Sequence, residues 1–258
     1  MTIETNHEID LLVSTVRRFV ETEMFPHEEE VDRMGHVPED IGRAIEAKSK
    51  ELGLFACNLP EEVGGGGLSY GPMSLIEREY GKTSHALQSW AARPTELLMA
   101  CEGDQRERYL FPAVRGDKRE LFALSEPDAG SDVMGMKSNA RRDGDDWILN
   151  GSKHFISGPC MPDFAIVFAA TGEDETPRGP RKRVTAFLVD VGTDGFDCRE
   201  GTRCISYRGY KTFELHFDDV RLSKAQVLGE EGLGLDLAGK WLGMGRIWVG
   251  ATCCGKAE

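Results

Sequence analysis

The sequence predicts an α+β protein: a helical N-terminal domain, then an antiparallel β-domain, then the start of further helix. Three observations predict it. Apolar residues recur three and four apart in the first part of the chain. From about residue 118 the texture changes to alternation of period two with Asp-Gly and Asn-Gly pairs. Helical spacing then returns near Gly232. The expected domains are residues 1–117, 118–229 and 230–258.

Taking the elements in order, Ile9, Leu12, Val13, Val16, Phe19 and Val20 form one helical stripe that Pro26 ends. A second helix starts near Pro38, with Glu39 and Asp40 in its first turn, Ile41, Ala44, Ile45 and Leu52 facing inward, and Gly53 at its exit. Gly64 to Gly67 are a loop, and helical texture resumes from Pro72 to Arg115 with breaks near Gly81, Pro94 and Gly103. Asp143-Gly144 and Asn150-Gly151 are both read as hairpin turns bracketing Trp147-Ile148-Leu149. Phe164 to Phe168 and Val184 to Val189 are strands. Phe213, Leu215 and Phe217 alternate with polar neighbours, as a half-buried strand does. Leu235, Leu237, Trp241, Leu242 and Ile247 carry the closing helix.

Composition narrows the function classes. At 40% hydrophobic and 29% charged residues the chain is a soluble globular type, and no apolar run reaches the length of a membrane span. A net charge of −13 excludes a general nucleic-acid binder, which needs a basic face to neutralise phosphates. Cys57, Cys101, Cys160, Cys198, Cys204, Cys253 and Cys254 form no C-x-x-C pair, and the six histidines are dispersed, so no metal site is argued. Scattered thiols behind a polar, acidic N-terminus, Met1 to His7, with no secretory leader point to a cytoplasmic setting. No dinucleotide or Walker fingerprint is present.

Some segments carry chemistry. Leu124 to Asp132 (L-S-E-P-D-A-G-S-D) is dense in hydroxyls and backbone donors; Pro127 fixes φ and Gly130 permits a left-handed conformation. It is either a capped surface turn or a loop that donates to a heteroaromatic edge or a phosphate. His154 to Gly158 sets an aromatic ring beside a short hydroxyl, either an ordinary strand or a stacking platform for a flat cofactor. Arg178, Arg181, Lys182 and Arg183 make a basic loop, either solvated or facing an anionic ligand.

Together these segments resemble the acyl-CoA dehydrogenase family over most of the chain. Leu59 to Gly71 is similar to P-E-E-x-G-G-x-G-L-S, and Leu124 to Asp132 to T-E-P-x-A-G-S-D with Ser125 in place of threonine. Leu149 to Lys153 matches L-N-G-x-K, and Phe155 to Gly158 stands where W-I-T-N is usual. Phe217 to Leu222 matches F-x-D-V-x-V, with Ser223 replacing a proline; Leu228 to Gly234 matches L-G-x-x-G-x-G; and Gly245-Arg246 fits the arginine of the next helix.

The resemblance implies a barrel-like β-domain and, from residue 230, the first helix of a four-helix bundle, with FAD between them. Carried over by position, Phe122 and Leu124 hold the flavin through backbone groups. The Ser125 hydroxyl reaches the pyrimidine edge, and Phe155 covers one flavin face. Ile156 and Ser157 adjoin the ring, with Ser157 near N5. Gly130 is a further cofactor-binding position, Ser131 lies by the cofactor phosphate and the pantetheine arm, and Arg246 lies at the substrate end of the bundle helix. The implied reaction is α,β-desaturation of an acyl-CoA to a trans-2-enoyl-CoA, with electron-transferring flavoprotein as acceptor and a homodimer or homotetramer as the full-length assembly. Related alternatives are a non-catalytic flavin- or CoA-binding module and an oxidase. The carboxylate base is expected beyond residue 258, because Gly245 occupies the position before Arg246 where a minority of members place it. The 258-residue chain is therefore expected to bind FAD weakly and to turn over little by itself. Ser84 to Leu98 is expected to line the acyl pocket, made polar by Gln88, Trp90 and Arg93.

Overall fold

The computed structural model describes residues 7–177 and 179–258. Arg178, the first member of the predicted basic loop, and residues 1–6 of the acidic N-terminus lie outside the described residues. The chain divides into two units. One combines the described part of Met1–Glu96 with Cys204–Tyr210 and Trp241–Glu258; the other comprises Leu97–Arg203 and Lys211–Lys240.

In the first unit the predicted stripe forms α1 (His7–Glu23), which buries Val16, Phe19 and Val20. A short α2 (Glu28–Met34) follows, which the spacing does not announce; Gly35, at φ 71°, ends it with its N–H on the Val31 carbonyl at 2.8 Å. Pro38 precedes α3 (Glu39–Glu51) and Gly53 leaves it at φ 68°, as expected. Its inward face, however, is Gly42, Ile45, Glu46 and Ser49, while Ala44 is exposed and Ile41 and Leu52 are half-buried. The reason is Trp90: a Cβ at Gly42 would lie 2.3 Å from its Cε2, so the helix rolls its glycine onto the indole. Then come α4 (Tyr70–Gly81) and the single turn α5 (His85–Gln88). Phe19 packs edge-on to Tyr80 with centroids 6.4 Å apart, and Arg17 clasps Glu79 at 2.9 and 3.0 Å. The Cys204–Tyr210 segment lies across α5: Tyr207 stacks on His85 at 4.8 Å, Tyr210 meets the same ring edge-on at 4.6 Å, and Arg208 pairs with Asp32 at 3.0 Å.

In the second unit α6 (Phe111–Arg115) ends at Gly116, φ 75°, and leads into the strands. These are β1 (Glu120–Ala123), β2 (Asn139–Asp143), β3 (Asp146–Gly158), β4 (Phe164–Thr176), β5 (Gly179–Asp190), β6 (Phe196–Glu200), β7 (Lys211–Leu222) and β8 (Val227–Leu228). The sheet order is β6-β7-β3-β2-β4-β5-β8, with β1 joined to β4. It is mostly antiparallel, as predicted, but β1 runs parallel to β4, with Phe122 opposite Ile166. Leu121, Trp147, Ile156, Val167, Phe187 and Leu215 share its core. The closing helix, α7 (Gly234–Ala257), contributes its residues from Trp241 onward to the first unit. There a Cβ at Gly81 would fall 2.1 Å from the Thr252 carbonyl oxygen, and one at Gly255 1.8 Å from that of Arg78, so α4 and α7 meet backbone to backbone.

Of the two predicted hairpin turns, one forms. Asp143 pairs with Asp146 around Gly144, φ 65°. Asn150-Gly151 instead runs within β3, where the register with β7 shifts between Leu149 and Gly151. The extra residue is on β7, at Asp219, φ 46°. The Asn150 amide donates to Asp219 Oδ1 at 3.0 Å and accepts from the Asp219 N–H at 3.0 Å. Gly151 is required because a Cβ there would meet Ser138 Oγ at 2.4 Å. The dipeptide that encodes a tight turn elsewhere here braces a bulge.

Candidate functional site

The loop leaving β1 closes on itself through Glu126 N–H to the Ala129 carbonyl at 3.0 Å and Ala129 N–H to the Glu126 carbonyl at 3.3 Å. The reversal is carried by Pro127 and Asp128, and Gly130, which permits a left-handed conformation, does not adopt one. It is exposed, and a Cβ there would meet nothing within 4 Å.

A second bulge shapes the facing part of β3. Lys153 pairs with Leu215 and Ile156 with Phe213, leaving one extra residue on β3. Phe155 absorbs it at φ 56°, a region an aromatic residue seldom adopts and one that concentrates at functional sites. The extra residue alters the in-out alternation. Lys153 and Ile156 both point into the core, while Phe155 is 62% exposed and Ser157 is exposed beside it. The Ile156 side chain, 2% exposed and part of the core, leaves only backbone atoms to meet a ligand.

The two segments are tied together from below. His154 N–H donates to the Ser125 carbonyl at 3.0 Å. Lys153 Nζ donates to the Leu124 carbonyl at 3.1 Å and to Glu126 Oε1 at 2.7 Å. Glu126 also accepts the Lys137 N–H at 2.6 Å and the Ser138 N–H at 3.1 Å. The side chains of this ion pair are 0% and 3% exposed. Burial pushes the Glu126 carboxyl up, but the Lys153 ammonium and the Lys137 N–H outweigh it and hold it below its ordinary range. Burial lowers Lys153 in turn, against the pull of Glu126. Neither residue figured in the predicted site, although both lie inside motif segments. A lysine amid the apolar residues of a strand, with a glutamate in the other motif, was the available signal.

Above this pair, Phe122 is half-buried with its ring 5.1 Å from Phe168. Leu124 is buried with its carbonyl on Lys153, Ser125 is half-buried and Ser131 exposed. Among the described residues, no hydrogen bond engages the Ser125 or Ser131 hydroxyl. Ser157 Oγ makes a 3.3 Å bond to the Phe155 carbonyl. Arg246 is exposed on α7, in the other unit.

The described part of the predicted basic loop, Arg181 to Arg183, lies in a strand. Lys182 lies opposite Glu173 and Arg181 opposite Asp174 in the β4–β5 ladder, Arg183 pairs with Asp174 at 3.8 Å, and Lys182 donates to the Met136 carbonyl. Acidic residues thus lie opposite Arg181 and Lys182 on the neighbouring strand, where cross-strand charges offset one another. The polar segment at Ser84 to Leu98 is likewise inward-turned: Gln88 and Trp90 are 2% exposed, and Arg93 Nε sits 2.6 Å from buried Glu77.

An outward aromatic ring on a bulge at φ 56°, with the Ser125 hydroxyl unengaged among the described residues, offers a stacking face and a donor to a flat heteroaromatic group. The pattern described as "Acyl-CoA dehydrogenase, N-terminal domain" matches residues 6–117, and "Acyl-CoA dehydrogenase, middle domain" matches residues 121–220. The chain belongs to the acyl-CoA dehydrogenase family, whose members use FAD. It is 33% identical to the 3-(aryl)acrylate reductase of Clostridium sporogenes over 96% of this chain and 65% of that protein. It is also 33% identical to the human mitochondrial short-chain specific acyl-CoA dehydrogenase, over 99% of this chain and 61% of that one. An acyl-CoA dehydrogenase from Bacillus anthracis complexed with FAD superimposes with a TM-score of 0.83 at 26% identity, covering 98% of this chain and 44% of that one. The chain thus spans 61–65% of the length of these curated relatives.

Proposed function

We propose that this chain forms the flavin-holding part of an acyl-CoA dehydrogenase that desaturates a thioester between its α and β carbons. The observation that carries the reading is Phe155, held outward at φ 56° and 62% exposed with Ser125 and Ser157 beside it. FAD, when bound, supplies the two-electron acceptor for the CH–CH bond. Phe155 covers one face of the ring; Ser125 donates a hydroxyl to its edge and Ser157 supports the neighbouring position. Ser131, exposed at the end of the β1 loop, meets the phosphates and the thioester arm. Arg246 serves the substrate end of α7. Phenylalanine offers the stacking face of an indole without its N–H, so it contributes no hydrogen bond to the cofactor.

The substrate class is an acyl-CoA, the electron acceptor an electron-transferring flavoprotein, the setting cytoplasmic and the assembly a homo-oligomer. The test is an FAD titration of the purified protein by flavin fluorescence and absorbance, followed by a dye-coupled assay with short and aryl acyl-CoAs. Flavin fluorescence quenched on titration of the wild type, with affinity weakened in Phe155→Ala, is the expected result. Flavin retained equally without the ring, or no flavin uptake at any concentration, refutes the reading.

A further inference from the structure

Buried ion pairs are poor stabilisers. Dehydrating both charges offsets most of their attraction, and an apolar pair of similar volume often serves the fold as well. Lys153 and Glu126, with side chains 0% and 3% exposed, therefore call for another account. Their geometry supplies one. The Glu126 carboxylate gathers donors from two separate stretches of chain: Lys153 Nζ from β3 at 2.7 Å, and the backbone N–H groups of Lys137 and Ser138 at 2.6 and 3.1 Å. Lys153 adds the Leu124 carbonyl at 3.1 Å, and the next residue along, His154, holds the Ser125 carbonyl through its N–H at 3.0 Å. Every bond runs between the β1 loop and the strand that carries the Phe155 bulge, or between the loop and its own return. A charge pair has a sharp distance dependence and directional donors, so it sets a register that apolar packing would leave loose.

We infer that Lys153 and Glu126 are positioning residues for the flavin, a buried latch that fixes the Ser125 hydroxyl and the Phe155 ring at one mutual spacing. The inference rests on the reading that the flavin lies on this face. The latch touches no cofactor atom; it acts through the Leu124–Ser125 carbonyls and the bulge. Without it the His154 N–H to Ser125 carbonyl bond is left to hold the loop on β3, and the loop shifts more readily. The ring edge and the ring face then lose their fixed separation, and binding weakens even though every contacting residue is present.

The test compares the full 258-residue chain with Lys153→Met, with the double variant Glu126→Gln/Lys153→Met, and with Val220→Ala, a core truncation in β7 at 0% exposure. In the double variant the glutamine oxygen still accepts the Lys137 and Ser138 N–H groups, and no unpaired charge remains, so the fold is kept. Each protein is melted without FAD, then titrated with FAD while fluorescence quenching and the visible absorbance bands are recorded. The double variant is expected to melt within a few degrees of wild type, yet to bind FAD about tenfold more weakly or worse, with blurred flavin bands. Val220→Ala is expected to lower the melting temperature while leaving affinity and bands near wild type. A double variant with wild-type affinity and spectrum overturns the latch. So does a Val220→Ala protein that loses affinity in proportion to its melting temperature, because the effect is then general loosening. A wild-type protein that takes up no FAD overturns the functional reading itself, and the latch with it; flavin uptake indifferent to the latch overturns the latch alone.

Discussion

Replacing Phe155 by glycine should leave a more stable protein than replacing it by alanine, the reverse of the usual order in a strand. Both substitutions delete the same ring, which stands 62% exposed and 3.9 Å from the His154 ring, so the lost contacts cancel in the comparison. What differs is the backbone at φ 56°. Alanine keeps the left-handed strain, about 1–2 kcal/mol for any residue with a Cβ, and glycine releases it. Against this, glycine gives up roughly 0.4–1 kcal/mol through its freer unfolded chain. The balance favours Phe155→Gly over Phe155→Ala by about 0.5–1 kcal/mol, a gap of about 1–4 °C in melting temperature for a chain this long. Paired urea and thermal melts of the two apoproteins measure it, and FAD titration should show both weakened alike. An alanine variant as stable as the glycine variant, or more so, would refute the idea that the bulge stores strain to aim the ring.

Other outcomes follow from the same structure. Burial, reinforced by Arg93, brings His85 from 6.5 down to about 4, so its contribution to stability is complete above 6.5 and is lost as pH falls toward 4. The loss should approach about 3 kcal/mol in urea melts across that window and flatten in His85→Gln. Gly255→Ala should lose roughly 1–3 kcal/mol or more, because its Cβ would fall 1.8 Å from the Arg78 carbonyl. Gly250→Ala, on the same helix with nothing within 4 Å, should gain about 0.5–1 kcal/mol in the same melt. Asn150→Ala removes both 3.0 Å bonds to Asp219 and should cost about 1–2 kcal/mol, with amide exchange quickening along β7 near the bulge.

The sequence was legible where one physical signal dominated. Phe213, Leu215 and Phe217 alternate because β7 has one wet face, and Pro38 and Gly53 bound α3 because each restricts or frees φ whatever surrounds it. It misled where a residue answers to a distant partner. Asn150-Gly151 carries turn chemistry, but the turn was pre-empted by Asp219, 69 residues away, and by Ser138 pressing on Gly151. Ala44 fits a helical stripe by spacing, yet Trp90 claimed Gly42 instead. The basic run at Arg181 to Arg183 reads as a loop until the acidic stretch at Glu173 and Asp174 lies opposite it. In the proposed site, the motif segments single out Ser125, Phe155 and Ser157. The pair that couples them stayed hidden, because a charge buried against a partner 27 residues off leaves no periodic trace.

The first unit is assembled from chain pieces that end at Glu96, run from Cys204 to Tyr210, and resume at Trp241. During synthesis its parts therefore emerge far apart in time. At roughly 5–20 residues per second, α4 is made roughly 10–30 s before the Gly255 turn that seats against Arg78. Over that interval His85 awaits Tyr207 and Tyr210, and Gly81 awaits the backbone of Thr252. The nascent N-terminal helices therefore stand without the α7 backbone that seats against Gly81 and Arg78 until that stretch has been made.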